Sequence, residues 1–245
     1  MTGPSKAVLV TGCSSGIGHA TAARLADAGW RVYASARRPE ALADLKDQHG
    51  CETLALDVTD EASMRAAVDA VTEAEGAVGV LVNNAGYSQS GAVETVPLDD
   101  ARRQFETNVF GLLRMCQLVL PGMRAQRWGK VVNISSMGGR LTFPGGGLYH
   151  ATKYSVEAIS DALRFEVRGF GVDVIVIEPG LIVTNFGEVA AGSVGATSDG
   201  AYGDFNQKVA ELTESAYKGP MARLGAGPDA VAKAIERAIS SRRPR

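Results

Sequence analysis

The chain has 245 residues, of which 45% are hydrophobic and 21% charged, and its formal net charge is −2. This composition is typical of a packed globular protein, and the charge gives no electrostatic reason to expect nucleic acid or an anionic membrane as a partner. The N-terminus has too short an apolar core for a signal peptide and no stretch approaches a membrane span, so we expect a cytoplasmic protein. The three cysteines and three histidines show no metal-ligand spacing, which predicts reduced, mostly buried thiols and no metal site.

Short apolar runs without polar alternation predict parallel strands that are buried on both faces. These runs are 7–12, 31–37, 52–58, 78–86, 129–136 and 172–180. Stretches of helical period lie between them near 17–28, 61–74, 98–125 and 149–168, and a further helix begins with Pro228 in its first turn. The alternation predicts a single α/β domain over 1–245, a Rossmann-type three-layer α/β/α sandwich with a parallel sheet of six or seven strands.

The pattern changes after residue 184. Small residues and glycine dominate there, which predicts a mobile substrate-loop region over about 185–227 with short helices. Nothing after Ser241 could form a seventh strand. Either the sequence stops early or the sheet has six strands, and the first reading is favoured because an open sheet edge would need cover.

Three glycines lie where the first strand turns into the first helix. Gly12 can take the backbone angles of a tight turn, while Gly16 and Gly18 allow a pyrophosphate to approach and the helix to pack on the strand. The helix N-terminus offers unpaired N–H groups and a partial positive charge to that anion. Glycines in a turn can serve the turn alone, but their position between a buried strand and an amphipathic helix predicts a dinucleotide site.

The end of the second strand bears on which dinucleotide binds. An NAD site usually carries Asp or Glu about 20 residues after the glycines, where it binds the ribose hydroxyls. This strand instead ends "YASARR", with Arg37 and Arg38 available for a 2′-phosphate. Both could be ordinary surface arginines. The missing carboxylate, which would repel a phosphate, favours NADP(H) over NAD(H).

Tyr149 and Lys153 are four residues apart and therefore share one face of a helix. A tyrosine of pKa about 10 is a poor base at neutral pH, but a cation about 4 Å away is worth on the order of 4 kcal/mol, or about three pKa units at most. We therefore expect Lys153 to lower the pKa of Tyr149 into the range where it exchanges a proton with an alcohol or ketone oxygen. Such pairs also arise by chance. Ser136 supports the catalytic reading because it ends a strand at the carboxyl edge of the sheet, and Ser135 replaces it if the register slips by one.

Several motifs occur in order along nearly the whole chain: "TGCSSGIG" (11–18), "NNAG" (83–86), Asn108 in "FETNVFG", Ser136, "YHATK" (149–153) and "PGLIVT" (179–184). Together they resemble the short-chain dehydrogenase/reductase family. Within it, "GCSSGIG", "VYASAR" and "PLDDARRQFETNVFG" look most like the 17β-hydroxysteroid and retinol dehydrogenase branch.

The resemblance implies roles for individual residues. Tyr149 is the acid/base, Lys153 binds the nicotinamide ribose and lowers the tyrosine pKa, Ser136 positions the substrate carbonyl, and Asn108 holds a water in a proton relay. The resemblance also places Asp57 and Val58 near adenine, Asn83 and Ala85 along the ribose, and Ile182 and Thr184 near the carboxamide. The remaining implied cofactor-binding residues are Gly12, Ser14, Ser15, Gly16, Ile17, Gly18, Arg37, Arg38, Gly86, Pro179 and Gly180, besides Tyr149 and Lys153.

We therefore expect an NADP(H)-dependent oxidoreductase that interconverts a ketone and a secondary alcohol. A lipophilic substrate is indicated by Met137, Leu141, Phe143, Phe186 and Phe205, although each could serve ordinary packing. The alternatives are a 3-oxoacyl-thioester reductase and a non-catalytic NADP(H)-sensing regulator. By family pattern the protein is a homodimer or homotetramer with helices 98–125 and 149–168 between subunits, but the apolar residues of these helices could instead face the sheet.

Overall fold

The computed structural model describes residues 3–184, 186–194, 200–219, 225–242 and 244. In this part of the chain the sheet has six parallel strands in the order β3-β2-β1-β4-β5-β6. The strands are β1 Val8–Val10, β2 Val32–Ala36, β3 Glu52–Ala55, β4 Val80–Asn83, β5 Gly129–Ile134 and β6 Val172–Ile177. The predicted Rossmann-type α/β fold is confirmed, and the strand order reverses between β1 and β4.

Helices connect the strands and cover both faces of the sheet. They are α1 Gly16–Asp27, α2 Ala43–His49, α3 Glu61–Glu75, α4 Leu98–Phe105, α5 Leu112–Ala125, α6 Gly147–Val167, α7 Phe186–Gly192, α8 Gly203–Lys218 and α9 Pro228–Ser240. Short 3₁₀ turns occupy Pro39–Leu42, Met137–Gly139 and Arg168–Phe170, and a π-helical turn, Glu106–Gly111, joins α4 to α5. The predicted helix 98–125 is therefore one helical run with a widened turn inside it.

Two helices differ from the sequence-based expectation. The first, α2, was not predicted; Leu42 and Leu45 are fully buried there, and Gly50 ends the helix in the left-handed conformation. The second, α8, has 16 residues where a loop with short helices was expected. It is held by tertiary contacts, since the buried Asn206 Oδ1 accepts the Ala92 N–H at 2.8 Å. Residues 185, 195–199 and 220–224 lie outside the described residues, and the mobility of 185–227 stays a prediction.

Two apolar layers flank the sheet. Leu9 lies in the layer with Met115 of α5, whereas Val8 and Val10 lie in the layer with Ile235 of α9. Successive strand residues alternate between the layers because side chains in a strand point to opposite faces. Strands β1, β2, β4 and β5 are thus buried on both sides, whereas the edge strand β3 is partly exposed. The polar groups of the site are left to the loops at the strand ends.

All three cysteines are free and buried in these layers. Burial raises the pKa of the Cys13 and Cys116 thiols to about 12 and that of Cys51 to about 11. The described residues contain no cluster of His, Cys, Asp and Glu that could hold a metal ion. None of the helices in the ranges given above combines the length and the apolar composition that crossing a membrane requires.

Candidate active site

The catalytic candidates lie at the carboxyl edge of the sheet, where open α/β folds build their sites. Ser136 follows β5 by two residues and starts the turn Met137–Gly139, in which its Oγ accepts the Gly138 N–H at 3.0 Å. The chain then returns to this edge as α6, which carries Tyr149 in its first turn and Lys153 one turn later. Helical period places both side chains on the face of α6 that meets the end of β5.

The structure brings these three side chains together. The Ser136 hydroxyl hydrogen-bonds to the Tyr149 phenol, and Lys153 Nζ lies 5.7 Å from the centroid of the Tyr149 ring. The alternative serine, Ser135, has a buried Oγ without a hydrogen-bond partner among the described residues, and Gly139 packs against it. Ser136, rather than Ser135, is therefore the serine that reaches Tyr149.

The expected lowering of the Tyr149 pKa by Lys153 is wrong for this arrangement. Burial raises the pKa of Tyr149 to about 12, and the hydrogen bond from Ser136 opposes this only in part. Lys153 is 7% exposed, and burial lowers the pKa of its ammonium to about 8. Its Nζ donates to the Ile134 carbonyl at 2.8 Å instead of pointing at the phenol oxygen. The attraction is therefore weaker than at the assumed contact distance, and desolvation of the phenolate dominates.

Asn108 lies in the π-helical turn between α4 and α5. Such turns are frequent at functional sites because they re-aim the side chains of an otherwise regular helix. The buried Asn108 Nδ2 donates to the Tyr87 carbonyl at 2.8 Å and to Thr152 Oγ1 at 3.1 Å, while Oδ1 accepts the Tyr87 N–H at 3.1 Å. Asn108 thus ties the loop after β4 to α6, at the residue that precedes Lys153.

The glycine turn after β1 forms a shallow cradle against the loop after β4. Gly12 and Gly16 both have positive φ, at 72° and 60°, and a Cβ on Gly12 would lie 2.9 Å from Ala85 Cα. Such backbone angles and this close approach require glycine. Ser15 begins α1 without a side-chain cap, so the first N–H groups of that helix point towards the cradle without an acceptor from the capping residue. An anion is the ligand that suits this arrangement.

The model of the family described as short chain dehydrogenase matches residues 6–191. This range contains the glycine turn, Asn108, Ser136, Tyr149 and Lys153. The chain belongs to this family. The enzyme is accordingly a short-chain dehydrogenase/reductase, an oxidoreductase whose fold binds a nicotinamide cofactor.

Two curated relatives of the enzyme carry reductase names. A 3-ketodihydrosphingosine reductase of Bacteroides thetaiotaomicron is 40% identical over 179 residues, which cover 73% of this chain and 65% of that relative. An NADPH-dependent 3-dehydrocapnine reductase of Ornithobacterium rhinotracheale is 34% identical, over 97% of this chain and 85% of that relative. The alignment thus spans slightly less than two thirds of the first relative and most of the second.

Solved structures agree with the fold over almost the whole enzyme. A short-chain dehydrogenase from Streptomyces avermitilis has a TM-score of 0.84 and 36% identity, covering 98% of this chain and 86% of that one. The closed form of serine dehydrogenase with NADP⁺ has a TM-score of 0.81 and 31% identity, covering 96% and 89%. A Burkholderia phymatum enzyme in complex with NAD has a TM-score of 0.82 and 26% identity, covering 98% and 88%. Similar folds therefore carry either dinucleotide.

Several residues around the cradle suit the anionic pyrophosphate of such a dinucleotide. At the glycine turn, Ser14 and Ser15 are exposed, Ile17 packs on the core, and a Cβ on Gly18 would clash with the Gly12 carbonyl. Thr184 lies within contact range of a Cβ placed on Gly16, so the segment after β6 lies against the glycine turn. The cradle is thus bounded by the glycine turn and by the start of that segment.

The other predicted residues of the segment after β6 also lie at the sheet edge. The Pro179 carbonyl accepts the Met137 N–H at 2.9 Å, which joins the end of β6 to the Ser136 turn. Ile182 forms an isolated parallel bridge with Ala226, just before α9. Gly180 lies between Pro179 and Ile182 on the chain with open space around it.

The ends of β2 and β3 carry the residues that were expected to lie near the adenine. Arg37 and Arg38 are exposed directly after β2, and neither forms an ion pair within the described part of the chain. Asp57 Oδ1 accepts the N–H and the hydroxyl of Thr59 at 2.9 and 2.7 Å, which fixes the loop after β3. Val58 packs into the core, so only its backbone can face a ligand.

The loop after β4 contains one residue that we did not predict. Asn84 Nδ2 donates to the Thr11 and Gly12 carbonyls at 2.9 and 3.0 Å and so fastens the glycine turn. By contrast, Asn83 points into the core, where its Nδ2 donates to Asn133 Oδ1 at 2.9 Å, and its side chain does not line the cradle. The Ala85 backbone does line the cradle, since it lies against Gly12, whereas Gly86 packs against Asn108. The two asparagines in "NNAG" were the available signal in the sequence. Only the strand register shows which of their side chains points towards the glycine turn.

His150 is a second residue that the sequence reasoning missed. Its Nε2 accepts the Phe143 N–H at 3.1 Å, and its Nδ1 lies 3.0 Å from the Gly138 carbonyl. Because Nε2 accepts, Nδ1 carries the proton and donates, so the ring is neutral. Burial lowers the pKa of His150 and favours this neutral form. His150 therefore fixes the loop between Ser136 and α6; its position next to Tyr149 was the only signal in the sequence.

Proposed function

We propose that the enzyme interconverts a ketone and a secondary alcohol with NADP(H), using Tyr149 as the acid/base. The observation that carries this proposal is the grouping of Ser136, Tyr149 and Lys153 at the sheet edge beside the glycine cradle. A regulator that only senses the nucleotide would have no use for all three groups in one place.

The bound cofactor supplies or accepts the hydride at the carbonyl carbon. The Ser136 hydroxyl orients the carbonyl oxygen, and Tyr149 donates a proton to that oxygen in the reduction and takes it back in the oxidation. The raised pKa of Tyr149, about 12, keeps the phenol protonated, which is the form that the reduction needs. Lys153, positively charged at neutral pH, stabilises the phenolate after the proton has left. Asn108 is proposed to hold a water in a proton relay through Lys153, and its contact with Thr152 keeps it beside α6.

NADP(H) is the proposed cofactor because the end of β2 offers cations and no carboxylate. The exposed Arg37 and Arg38 follow β2 directly, and neither is neutralised by an ion pair in the described ranges. A guanidinium recognises a phosphate through paired hydrogen bonds as well as charge. The relative named as NADPH-dependent and the similar structure with NADP⁺ support this choice.

An extended apolar ketone is the proposed substrate. Exposed apolar side chains lie on the segments next to Tyr149: Met137, Leu141, Phe143 and Phe205. Phe186 of α7 stands over the reaction site, with its ring centroid 5.5 Å from that of Tyr149. Exposed apolar groups grouped at a site entrance indicate an apolar ligand. The relative named a 3-ketodihydrosphingosine reductase supports a keto substrate.

Replacing Tyr149 by Phe tests the proposed chemistry. Tyr149→Phe should still bind NADPH, measured by cofactor fluorescence, and should lose at least about 100-fold in ketone reduction because the proton donor is gone. Tyr154→Phe, an exposed tyrosine on the same helix, is the matched control and should keep full activity. A panel of straight-chain, steroid and retinoid ketones and a 3-oxoacyl thioester identifies the substrate class. Full activity of Tyr149→Phe on the best substrate would refute the mechanism.

Replacing Arg37 by Asp tests the cofactor assignment. The carboxylate would repel the 2′-phosphate and accept the ribose hydroxyls of NADH, so the ratio of kcat/KM for NADPH over NADH should fall by about 10- to 100-fold. Arg168→Asp, which changes an exposed arginine after α6, should leave the ratio unchanged. An unaltered ratio in Arg37→Asp would mean that Arg37 is a surface residue only.

A further inference from the structure

Glu157 is a buried charge next to the proposed catalytic group and has no role in the mechanism above. It lies on α6, one turn after Lys153, and is 4% exposed. Neither carboxylate oxygen has a well-formed hydrogen bond within the described residues. A buried carboxylate without such bonds costs several kcal/mol unless another charge compensates. The Glu157 carboxylate therefore needs a positively charged group nearby.

Two cations, Arg140 and Lys153, interact electrostatically with Glu157. Arg140, on the loop between the Ser136 turn and α6, places Nη2 2.9 Å from Glu157 Oε2 and 3.0 Å from Glu178 Oε1. Arg140 is itself half exposed, so the solvent screens part of its charge. The other cation is Lys153, one helical turn away on the same face.

Lys153 has no carboxylate in direct contact. Within the described ranges its Nζ hydrogen-bonds to the Ile134 carbonyl, and no carboxylate lies within ion-pair distance. The charged groups that face this region are Glu157 and, further along α6, Asp161, together with Arg140 and Glu178 from the loops. Of these, Glu157 is the one that raises the pKa of Lys153 against the effect of burial.

Glu157 also contacts the Ser136 turn. A Cβ on Gly139 would lie 2.7 Å from Ser135 Oγ and 3.0 Å from Glu157 Cγ, so the turn packs closely on the Glu157 side chain. Arg140 follows Gly139 in the chain and forms an ion pair with the same Glu157 carboxylate. The side chain that faces Lys153 along the helix therefore also anchors the turn that carries the serine.

We propose that Glu157 is a positioning residue, whose buried carboxylate keeps Lys153 charged and, through Arg140, holds the Ser136 turn against α6. Its charge acts on Lys153 through the low-dielectric interior, where a neutral amide of the same shape would act far less. The catalytic consequence rests on the proposed function, because it matters only if Lys153 assists Tyr149. The effect on Lys153 itself does not depend on turnover.

The decisive measurement is the titration of Lys153 in the protein without added substrate. Lysine labelled at the ε-carbon is followed by NMR, and the Lys153 signal is assigned from its loss in Lys153→Arg. The wild-type midpoint is expected near pH 8. In Glu157→Gln it should fall by on the order of one pH unit, while Glu157→Asp should stay near wild type. Equal midpoints in wild type and folded Glu157→Gln would overturn the proposal.

Two further variants separate electrostatics from loss of an ion pair. Glu178→Gln removes the other partner of Arg140 and should leave the Lys153 midpoint in place. Arg140→Gln removes the competing cation and should raise the midpoint, opposite to Glu157→Gln. The raised Lys153 midpoint expected in Arg140→Gln also tests the proposal if Glu157→Gln does not fold. A fall in all of these variants would show a purely structural role and overturn the proposal.

Kinetics then separates this proposal from the proposed function. If Lys153 assists the reaction, the basic limb of the pH profile of kcat for ketone reduction should shift down in Glu157→Gln together with the NMR midpoint. A shifted midpoint with an unchanged kcat profile would remove Lys153 from the mechanism but leave the coupling to Glu157 intact. An unshifted midpoint together with the expected loss of ketone reduction in Tyr149→Phe would overturn the role of Glu157 and leave the proposed function intact.

Discussion

His150 illustrates how a single side chain determines the shape of the loop between Ser136 and α6. The neutral ring accepts from one backbone group and donates to another, so it bridges Phe143 and Gly138 across the loop. A protonated ring would have two donors and would leave the Phe143 N–H without its acceptor. The loop is thereby coupled to the protonation state of the ring.

This coupling predicts a pH-dependent loss of stability. The pKa of His150 is lowered by burial from its usual 6.5, so the unfolded chain takes up a proton at a pH where the folded chain does not. Stability is then complete above about pH 6.5 and declines below it, by at most about 1.4 kcal/mol per pH unit until the folded-state pKa is reached. His150→Gln, which does not titrate, should lack this decline in urea unfolding. Parallel pH dependence of the two proteins would contradict the assignment.

At the scale of elements, the π-helical turn is what brings the run from α4 to α5 into the site. It carries Asn108 towards the loop after β4 and α6, and its last residue, Gly111, faces the loop after β3. A Cβ on Gly111 would clash with the Val58 carbonyl and lie 2.9 Å from Val58 Cβ. The helix thus approaches the backbone at Val58 so closely that no side chain fits between them.

We predict that Gly111→Ala destabilises the enzyme by about 1–3 kcal/mol, because neither backbone can move away without disturbing the layer beneath. Gly169→Ala is the matched control, since a Cβ there would have no atom within 4 Å. Chemical unfolding of both variants measures the difference. NADPH affinity should fall in Gly111→Ala alone, as the Val58 loop shifts. Equal stability of the two variants would mean that the helix can retreat freely.

Sequence reasoning located the strands and the site but not the electrostatics. A strand buried on both faces is an uninterrupted apolar run, as at Val80–Asn83, which is why the strands could be placed. The pKa of Tyr149 could not be predicted from the four-residue spacing, because it depends on burial and on the direction of the Lys153 side chain. The helix α8 was not predicted because its glycine-rich surroundings resemble a loop. It is held instead by contacts with residues distant in sequence, such as that between Asn206 and Ala92.

At the scale of the whole molecule, the structure divides the apolar residues of the two long helical runs into two groups. Val109, Leu112 and Val156 are buried within the subunit, so they face the sheet layer as one of the two expectations had it. Phe110 and Phe165 of the same helical runs are 53% and 79% exposed. Large exposed apolar side chains on neighbouring helices indicate a contact with another copy of the chain.

The expected dimer or tetramer should therefore depend on Phe165. Phe165→Glu places a charge in the predicted contact and should lower the mass measured by sedimentation towards that of one chain. Leu212→Glu changes a comparably exposed residue of α8 and should leave the mass unchanged. An unaltered mass in Phe165→Glu would remove this face from the assembly.

Because the buried thiols lie on both sides of the sheet, their reactivity can report on the opening of each side separately. Cys13 and Cys51 lie in the layer with α1 and α9, whereas Cys116 lies in the layer with α5. An alkylating reagent needs both access and a thiolate, and burial denies these thiols both while their layer is closed. The order in which the three peptides take up iodoacetamide would therefore record which half of the sandwich opens first.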